Sequence, residues 1–373
     1  MTSSPTGSVC RDVKLHDLLG GYVFRLRLYC APEVTLLKKQ IQHGVVKYKN
    51  TGKSVSLEQQ LVHLPLLHSA LHGLHQAHPV LGPGLCLVKR WLAAQLLLDP
   101  LYWPPACVDL LGASLLAPTA PYSSPPISPQ VFLLRFLALL NSHNFVTDPV
   151  LVNVNGELER KNILHIETLL RNDRGALPAL VLLTPWDPTA QIFSKQAPNV
   201  TTLVRTVRLA RASLQLAETN LIRGLSCVPI LKFPRADFDV IISLNKSSVA
   251  KLSQSDGEEV HGGKTMPVVD FNPVALYVNL LRESYGEMAL FFYDVYGGLD
   301  IGVVIKPDDL LADSKDMKFN CKRPAETSGS QLSFIVNRKA MLEDFYILGR
   351  GVVKLVTCRE QGLIESPFRT PLV

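Results

Sequence analysis

Apolar residues recur at helical spacing through the first part of this chain and at strand spacing through the last, with the change near Pro234. Tyr22 to Cys30, YVFRLRLYC, sets Phe24, Leu26 and Leu28 against Val23, Arg25 and Arg27, the pattern of a half-buried strand with its arginines in water. One strand cannot stand alone. It either joins a sheet further along or closes a domain that lies upstream, which would make the chain a fragment or short product of a longer protein.

From about Thr35 to Ala117 the signals are helical: Leu57 to Gln76, Leu85 to Leu98 and Cys107 to Leu116, and the stretch from Pro121 to Leu158 supplies a fourth helix. Pro79, Pro83, Pro104 and Pro118 punctuate them. In SSPPISPQVFLLRFLALL, Ser128 reads as an N-cap with Pro129 at the first helical position, where its missing N–H costs nothing. Ile127 and Phe132 fall at the two ends of a hydrophobic staple. The helix from Pro129 to Leu140 is apolar but for Arg135, so it belongs inside a packed helical layer, with Arg135 paired to a carboxylate such as Asp148 or Glu157. It is too short for a membrane span, which takes roughly 20 residues. Val150 to Val154 and Ala179 to Thr184 read as short strands bracketing a helix from Glu159 to Arg171, and Thr201 to Arg223 as one long amphipathic helix.

After Pro234 the expected strands are Phe238–Leu244, Ala289–Tyr296, Leu299–Ile305, Leu332–Val336 and Val352–Thr357, with helices at Asn272–Tyr285 and Lys339–Leu348. Stripped of loops at residues 253–267 and 312–331, and with the strand at Leu332–Val336 counted as an addition, the order is β-α-β-β-α-β, that of a ferredoxin-like or RNA-recognition-like sandwich. The second loop holds the basic set Lys315, Lys318, Lys322 and Arg323.

Composition narrows this little. With 373 residues and 47% hydrophobic residues, the chain has material for two ordinary globular domains. The formal charge of +6 is spread over both halves, so charge alone neither requires nor excludes a nucleic-acid partner. Seven widely spaced cysteines without a C-x-x-C pair suit reduced, buried thiols in a nuclear or cytosolic protein. MTSSPTGSVCRDVKLHD has no apolar core for a signal peptide.

Candidate chemistry is sparse. Asp237-Phe238-Asp239-Val240 resembles the strand on which polymerase-β-type nucleotidyltransferases hold two metal ions, since alternate strand positions share a face. The Gly-Ser or Gly-Gly pair that accompanies it is missing from GLSCVPILKFPRA upstream. His68, His72 and His75 share a helical face at zinc spacing, between His63 and His78, but no nearby acid completes a site and surface histidines account for them. Lys89, Arg90, Arg205, Arg208 and Arg211 are candidate RNA-phosphate contacts, set against the simpler reading of a solvated helix face. Phe291, Phe292, Tyr293 and Tyr296 lie where RNA-recognition domains stack bases, yet without the rest of that motif they read mostly as core. There is no P-loop, no G-x-S-x-G and no G-x-G-x-x-G after a strand.

DLLGGYVFRLRL (17–28), LPLLHSALHGLHQAHP (64–79), KRWLAAQLL (89–97), SSPPISPQVFLLRFLALL with PVLVNVNGEL, and NPVALYVNLLRESYGEMALFFYDVYGG followed by IGVVIKP resemble the C-terminal part of the Nrap, or nucleolar RNA-associated protein, family. The resemblance implies an α+β chain without most of the upstream domains: a remnant nucleotidyltransferase-like strand (1–34), a helical domain similar to poly(A) polymerase and oligoadenylate synthetase with a small sheet (35–225), an RNA-recognition-like domain (226–360) and a tail (361–373). It implies a non-catalytic scaffold of the small-subunit processome in the nucleolus, acting in pre-rRNA processing. Its partners would be pre-ribosomal RNA and processome proteins, with no cofactor, metal, membrane or small-molecule substrate. The alternatives are a purely protein-interacting module and an active nucleotidyltransferase using Asp237 and Asp239.

Overall fold

The structure, a computed structural model, describes residues 12–16, 23–27, 30–42, 45–117, 121–153, 155–250, 258–261, 264–267, 272–306, 322–324, 334–359 and 362–364. The readings placed on Tyr22, Leu28, Tyr29, Cys10, Cys321, Lys315, Lys318, Leu332, Ser333 and residues 365–373 lie outside these. The chain divides into two compact units, Met1–Gly73 and Leu74–Val373.

In the first unit the expected lone strand has a partner: β1 (Asp12–His16) pairs antiparallel with β2 (Val23–Arg27). α1 (Ala31–Lys38) begins on Pro32 and is followed by a second hairpin, β3 (Lys39–Gln42) with β4 (Val45–Tyr48). The sequence pattern assigned this stretch to helix. The β-branched and aromatic residues Ile41, Val45, Val46 and Tyr48 favour a strand instead. Thr51 and Ser54 form a reciprocal capping box that starts α2 (Gly52–Glu58). Lys38 on α1 reaches Glu58 on α2 at 2.6 Å. A π turn (Gln59–His63) carries the chain into α3 (Leu64–Ala77), within which the division between units falls.

The second unit opens with helices packed about a buried aromatic. α4 (Leu81–Ala94) starts upstream of Pro83, which sits harmlessly in the first turn, and α5 (Pro105–Ser114) follows. α6 (Pro129–Ser142) is capped as its sequence indicates, Ser128 accepting the Val131 N–H at 3.2 Å, and packs against α4 and against α8 (Val200–Ile222). Phe132 on α6 fits against two glycines. A Cβ at Gly84 would stand 2.5 Å from its ring, and one at Gly112 would stand 3.3 Å from it and 2.4 Å from Leu85. Two buried tryptophans lock α8 in place, because an indole N–H taken from water needs a partner. Trp91 donates to Ser213 at 3.0 Å and Trp103 to Thr206 at 2.8 Å.

Two details of α6 differ from expectation. Pro126 is buried and Ile127 is 90% exposed, so the staple does not form. Arg135 ignores Asp148 and Glu157. Its Nη1 donates to the Ser124 carbonyl at 2.6 Å and its guanidinium lies 4.2 Å from the centre of the Tyr122 ring, because the proline-rich arm folds back and offers an unpaired carbonyl and a ring. Beyond α6, β5 (Val150–Leu151) pairs parallel with β6 (Leu182–Leu183), and α7 (Arg160–Asn172) lies between them in sequence. Arg174 donates to five backbone carbonyls, those of Phe145, Val146, Leu177, Pro178 and Ala179, and so ties the approaches to this small sheet together.

Residues from 240 onward build a five-stranded sheet. Numbering in chain order gives β7 (Val240–Leu244), α9 (Lys246–Ala250), the hairpin β8 (Glu258–His261) with β9 (Lys264–Pro267), α10 (Pro273–Tyr285), β10 (Ala289–Tyr293) and β11 (Asp300–Ile305). They are followed by β12 (Lys322–Pro324), β13 (Phe334–Val336), α11 (Arg338–Leu348), β14 (Val353–Cys358) and β15 (Gly362–Ile364). The sheet order is β10-β11-β7-β14-β15 with every neighbouring pair antiparallel. Val240, Ile242, Leu244, Phe291, Tyr293, Ile301 and Val303 share one core with Tyr277, Leu281 and Tyr285 of α10 and Met341 and Phe345 of α11, so both helices cover the same face. The segments read as loops hold local hairpins: β8–β9 within 253–267, and β12 pairing with β13 rather than β13 joining the main sheet.

The cysteines are free but mostly not buried: Cys30 and Cys86 are exposed, Cys227 and Cys358 partly covered, and only Cys107 enclosed among those described. Burial pushes the Cys107 thiol well above its ordinary range. In the native protein at pH 8, iodoacetamide therefore modifies Cys30 and Cys86 while Cys107 is spared, as peptide mass mapping would show. Equal labelling of Cys107 contradicts the packing described. Gly84→Ala forces a methyl group into Phe132 and lowers stability by about 1–3 kcal/mol in urea unfolding; an unchanged midpoint would mean that the ring moves aside freely.

Candidate functional site

Of the residues singled out for chemistry, Arg205, Phe291 and Phe292 meet where the helical layer joins the sheet. β10 is an edge strand, and an edge carbonyl left bare in a buried place is costly. The Phe291 carbonyl is covered twice, accepting the Tyr102 hydroxyl at 2.8 Å and Arg282 Nη2 at 2.9 Å. The same Arg282 nitrogen reaches Asp99 Oδ2 at 2.9 Å, with both side chains largely buried. Asp99 also holds the Leu101 N–H through Oδ1, which shapes the turn that presents Tyr102. The Tyr102 ring stacks on Phe292 with centroids 4.6 Å apart. Burial raises the Tyr102 hydroxyl above its ordinary range, so it remains a donor to Phe291.

Arg205 completes this seam. Its guanidinium carbon lies 4.7 Å from the centre of the Phe238 ring and 5.1 Å from that of Phe292. Phe238 in turn lies over Gly302, where a Cβ would stand 2.4 Å from its ring. Arg205 Nε and Nη2 are buried without a hydrogen-bond partner among the described residues, and burial pulls the guanidinium below its ordinary range against the opposing attraction of Asp237. The three arginines of α8 do not form one line. Steps of three residues turn the helix by about −60°, so they fan out: Arg205 enters the seam, Arg208 is exposed without a partner among the described residues, and Arg211 donates to Asn141 on α6 at 2.8 Å. Lys89 is held by Asp109 on α5 at 2.6 Å, whereas its neighbour Arg90 is exposed and unpaired among the described residues.

The acidic pair does not share a strand face. Asp237 is exposed on a 3-10 turn (Arg235–Asp237), and Asp239 precedes β7 with its Oδ2 accepting the Ile305 N–H at 2.8 Å. His68, His72 and His75 are exposed, the His75 ring lying over Gly82. Among the described residues no three His, Cys, Asp or Glu side chains could jointly hold a metal ion. Phe291, Phe292 and Tyr293 are buried as expected, but Tyr296 is 68% exposed on the β10–β11 turn.

Beside the seam lies a cleft of about 180 Å³ lined by Arg90, Leu96, Phe233, Asp294 and Asp300, among others. Leu96 sits in the left-handed region at φ 57° and closes α4 with hydrogen bonds from Leu96 N–H to Ala93 and from Leu97 N–H to Leu92. Glycine usually takes that place, as Gly224 does after α8 at φ 65°. A buried leucine there trades backbone strain for apolar contact at the cleft floor.

Comparison with known families divides the second unit at this same seam. The profile described as Nrap protein nucleotidyltransferase domain 4 matches residues 11–76, Nrap protein PAP/OAS1-like domain 5 matches residues 78–230, and Nrap protein domain 6 matches residues 235–356. The chain belongs to the Nrap family. Asp99, Tyr102 and Arg205 fall in domain 5, and Phe238, Arg282 and Phe292 in domain 6. The domain 4 match runs on to residue 76, past the boundary expected at residue 34. Nucleolar protein 6 of Xenopus tropicalis is 35% identical over 359 residues, 91% of this chain and 31% of that protein. The human protein of the same name is 34% identical over 372 residues, 95% of this chain and 32% of its own length, and that of Drosophila melanogaster is 31% identical over 368 residues, 94% and 30%. The chain thus spans about a third of the length of these relatives.

Removing one member of a buried ion pair strands the other. Arg282→Met therefore costs about 3 kcal/mol in chemical denaturation, and adding Asp99→Leu recovers part of it. A loss below about 1 kcal/mol would mean that water already reaches the pair.

Proposed function

We propose that this chain is a non-catalytic scaffold module of the small-subunit processome, acting in pre-rRNA processing and small ribosomal subunit biogenesis through contacts to pre-ribosomal RNA and processome proteins. Its place is the nucleolus, the compartment that its relatives' printed name carries. The observation that carries the reading is the use of polar groups at the seam. Asp99, Tyr102, Arg205 and Arg282 are spent on fixing domain 5 against domain 6, and Asp239 on holding Ile305. A metal-dependent nucleotidyltransferase needs two carboxylates free on one face, whereas Asp237 and Asp239 do not share one and Asp239 is engaged by Ile305.

Domain 6 is best read as a ferredoxin-like sandwich. Its order β10-β11-β7-β14, antiparallel throughout with both helices on one face, is that of the split β-α-β fold, with β15 added at the edge. RNA-recognition domains stack bases on the opposite face. Here Phe292 on that face is covered by Tyr102 and Arg205. RNA contacts therefore fall to the exposed Arg90, Arg208 and Arg211, while Lys89 and Arg205 serve the fold.

Two measurements on the purified chain test this. Single-stranded RNA binds at low salt and weakens as salt rises, with a log–log slope of about −0.7 for each phosphate neutralised. Labelled nucleotide, RNA primer and magnesium or manganese give no extension. Extension that Asp237→Asn abolishes would overturn the scaffold reading, since that exposed position can change without disturbing the fold.

A further inference from the structure

The cleft beside the seam brings together groups that the seam leaves unused. Arg90 projects from α4 without an ion pair or hydrogen bond among the described residues. Asp300 is already neutralised, accepting Arg235 Nη2 at 3.0 Å and the Ser243 hydroxyl at 2.7 Å. Asp294 accepts the Tyr296 N–H through Oδ1 at 3.0 Å, and its second oxygen has no partner among the described residues. Phe233 lends an aromatic wall, propped by Phe238 at 5.4 Å. The Tyr296 ring stands exposed on the β10–β11 turn, whose Asp294, Gly298 and Leu299 line one side of the cleft. At about 180 Å³ the space lies below the roughly 300–1,000 Å³ of small-molecule pockets, so it suits one flat group rather than a metabolite.

We propose that this cleft receives a single unpaired RNA nucleotide, with its phosphate on Arg90, its base against Phe233 and Tyr296, and an amino-bearing base edge at Asp294. The inference rests on the RNA-binding part of the proposed function and assigns it a place. An unpaired guanidinium beside an exposed ring is the combination by which proteins hold single strands, the charge taking the backbone and the ring the base. A carboxylate accepts from amino groups, which selects guanine, cytosine or adenine over uracil. Domain 5 supplies the phosphate contact and domain 6 the turn, so the site exists only while the seam is closed.

The test is fluorescence anisotropy on the full chain with labelled 12-nucleotide single strands, at several salt concentrations, with circular dichroism to confirm folding. Arg90→Ala weakens binding about tenfold and reduces the salt slope by about 0.7, whereas Arg90→Lys retains the slope. Tyr296→Ala weakens binding at least about fivefold without changing the slope. Oligouridine binds more weakly than a mixed sequence. Arg171→Ala, an exposed arginine on α7, reports the general effect of losing a charge and leaves affinity nearly unchanged. If the wild type binds and neither Arg90→Ala nor Tyr296→Ala differs from Arg171→Ala, the cleft assignment is wrong while RNA binding stands. If the wild type binds no RNA even at low salt, both readings fall. Loss of a processome protein from Arg90→Ala with unchanged RNA affinity would give the cleft to a protein side chain and overturn the proposal.

Discussion

A charged group can be buried between two domains only where it finds partners, and that constraint organises the joint between domains 5 and 6. The edge of β10 has to be closed. Phe291 offers its outward carbonyl, and Tyr102 and Arg282 converge on it. Arg282 then needs a counter-charge, which Asp99 provides. Asp99 in turn shapes the turn that holds Tyr102. Each group is positioned by the next. At Arg205, which has no ion pair among the described residues, two aromatic rings lie against the guanidinium.

This explains why the joint was hard to read from sequence. Asp99 and Arg282 are 183 residues apart, and nothing in the local pattern of either marks a partner so distant. Local chemistry was far more legible. The Ser128 cap and the short strands β5 and β6 follow from spacing and residue type, the cap because its partner is three residues away. The pattern misleads where two local signals compete: Pro126 rather than Ile127 enters the core, β-branched residues outweigh helical spacing at Lys39–Tyr48, and Tyr296, close in sequence to three buried aromatics, is carried into water by a turn. Arg90 was readable as a candidate cation. Its cleft was not, since Phe233 and Asp294 come from elements that only folding brings to α4.

The arrangement suits a scaffold. A protein that holds other molecules at fixed spacing gains from domains that do not swing, and interfaces between domains in one chain are ordinarily mobile unless large and well packed. Here Phe292, on the sheet face away from α10 and α11, is covered by Tyr102 and Arg205 at the joint. Among the described residues, Arg208 and Arg211 on α8, Arg90 on α4 and Tyr296 on the β10–β11 turn stay exposed. Leu96, buried with a left-handed backbone, places local strain at the cleft beside the joint.

Native-state hydrogen exchange on the full chain tests the joint most directly. Amides of α8 in domain 5 and of β10 and β11 in domain 6 are expected to open with the same free energy and the same denaturant dependence, because the buried polar groups couple the two domains into one cooperative unit. Separate opening energies, with the sheet exchanging while α8 stays protected, would contradict the account and leave the two domains merely tethered.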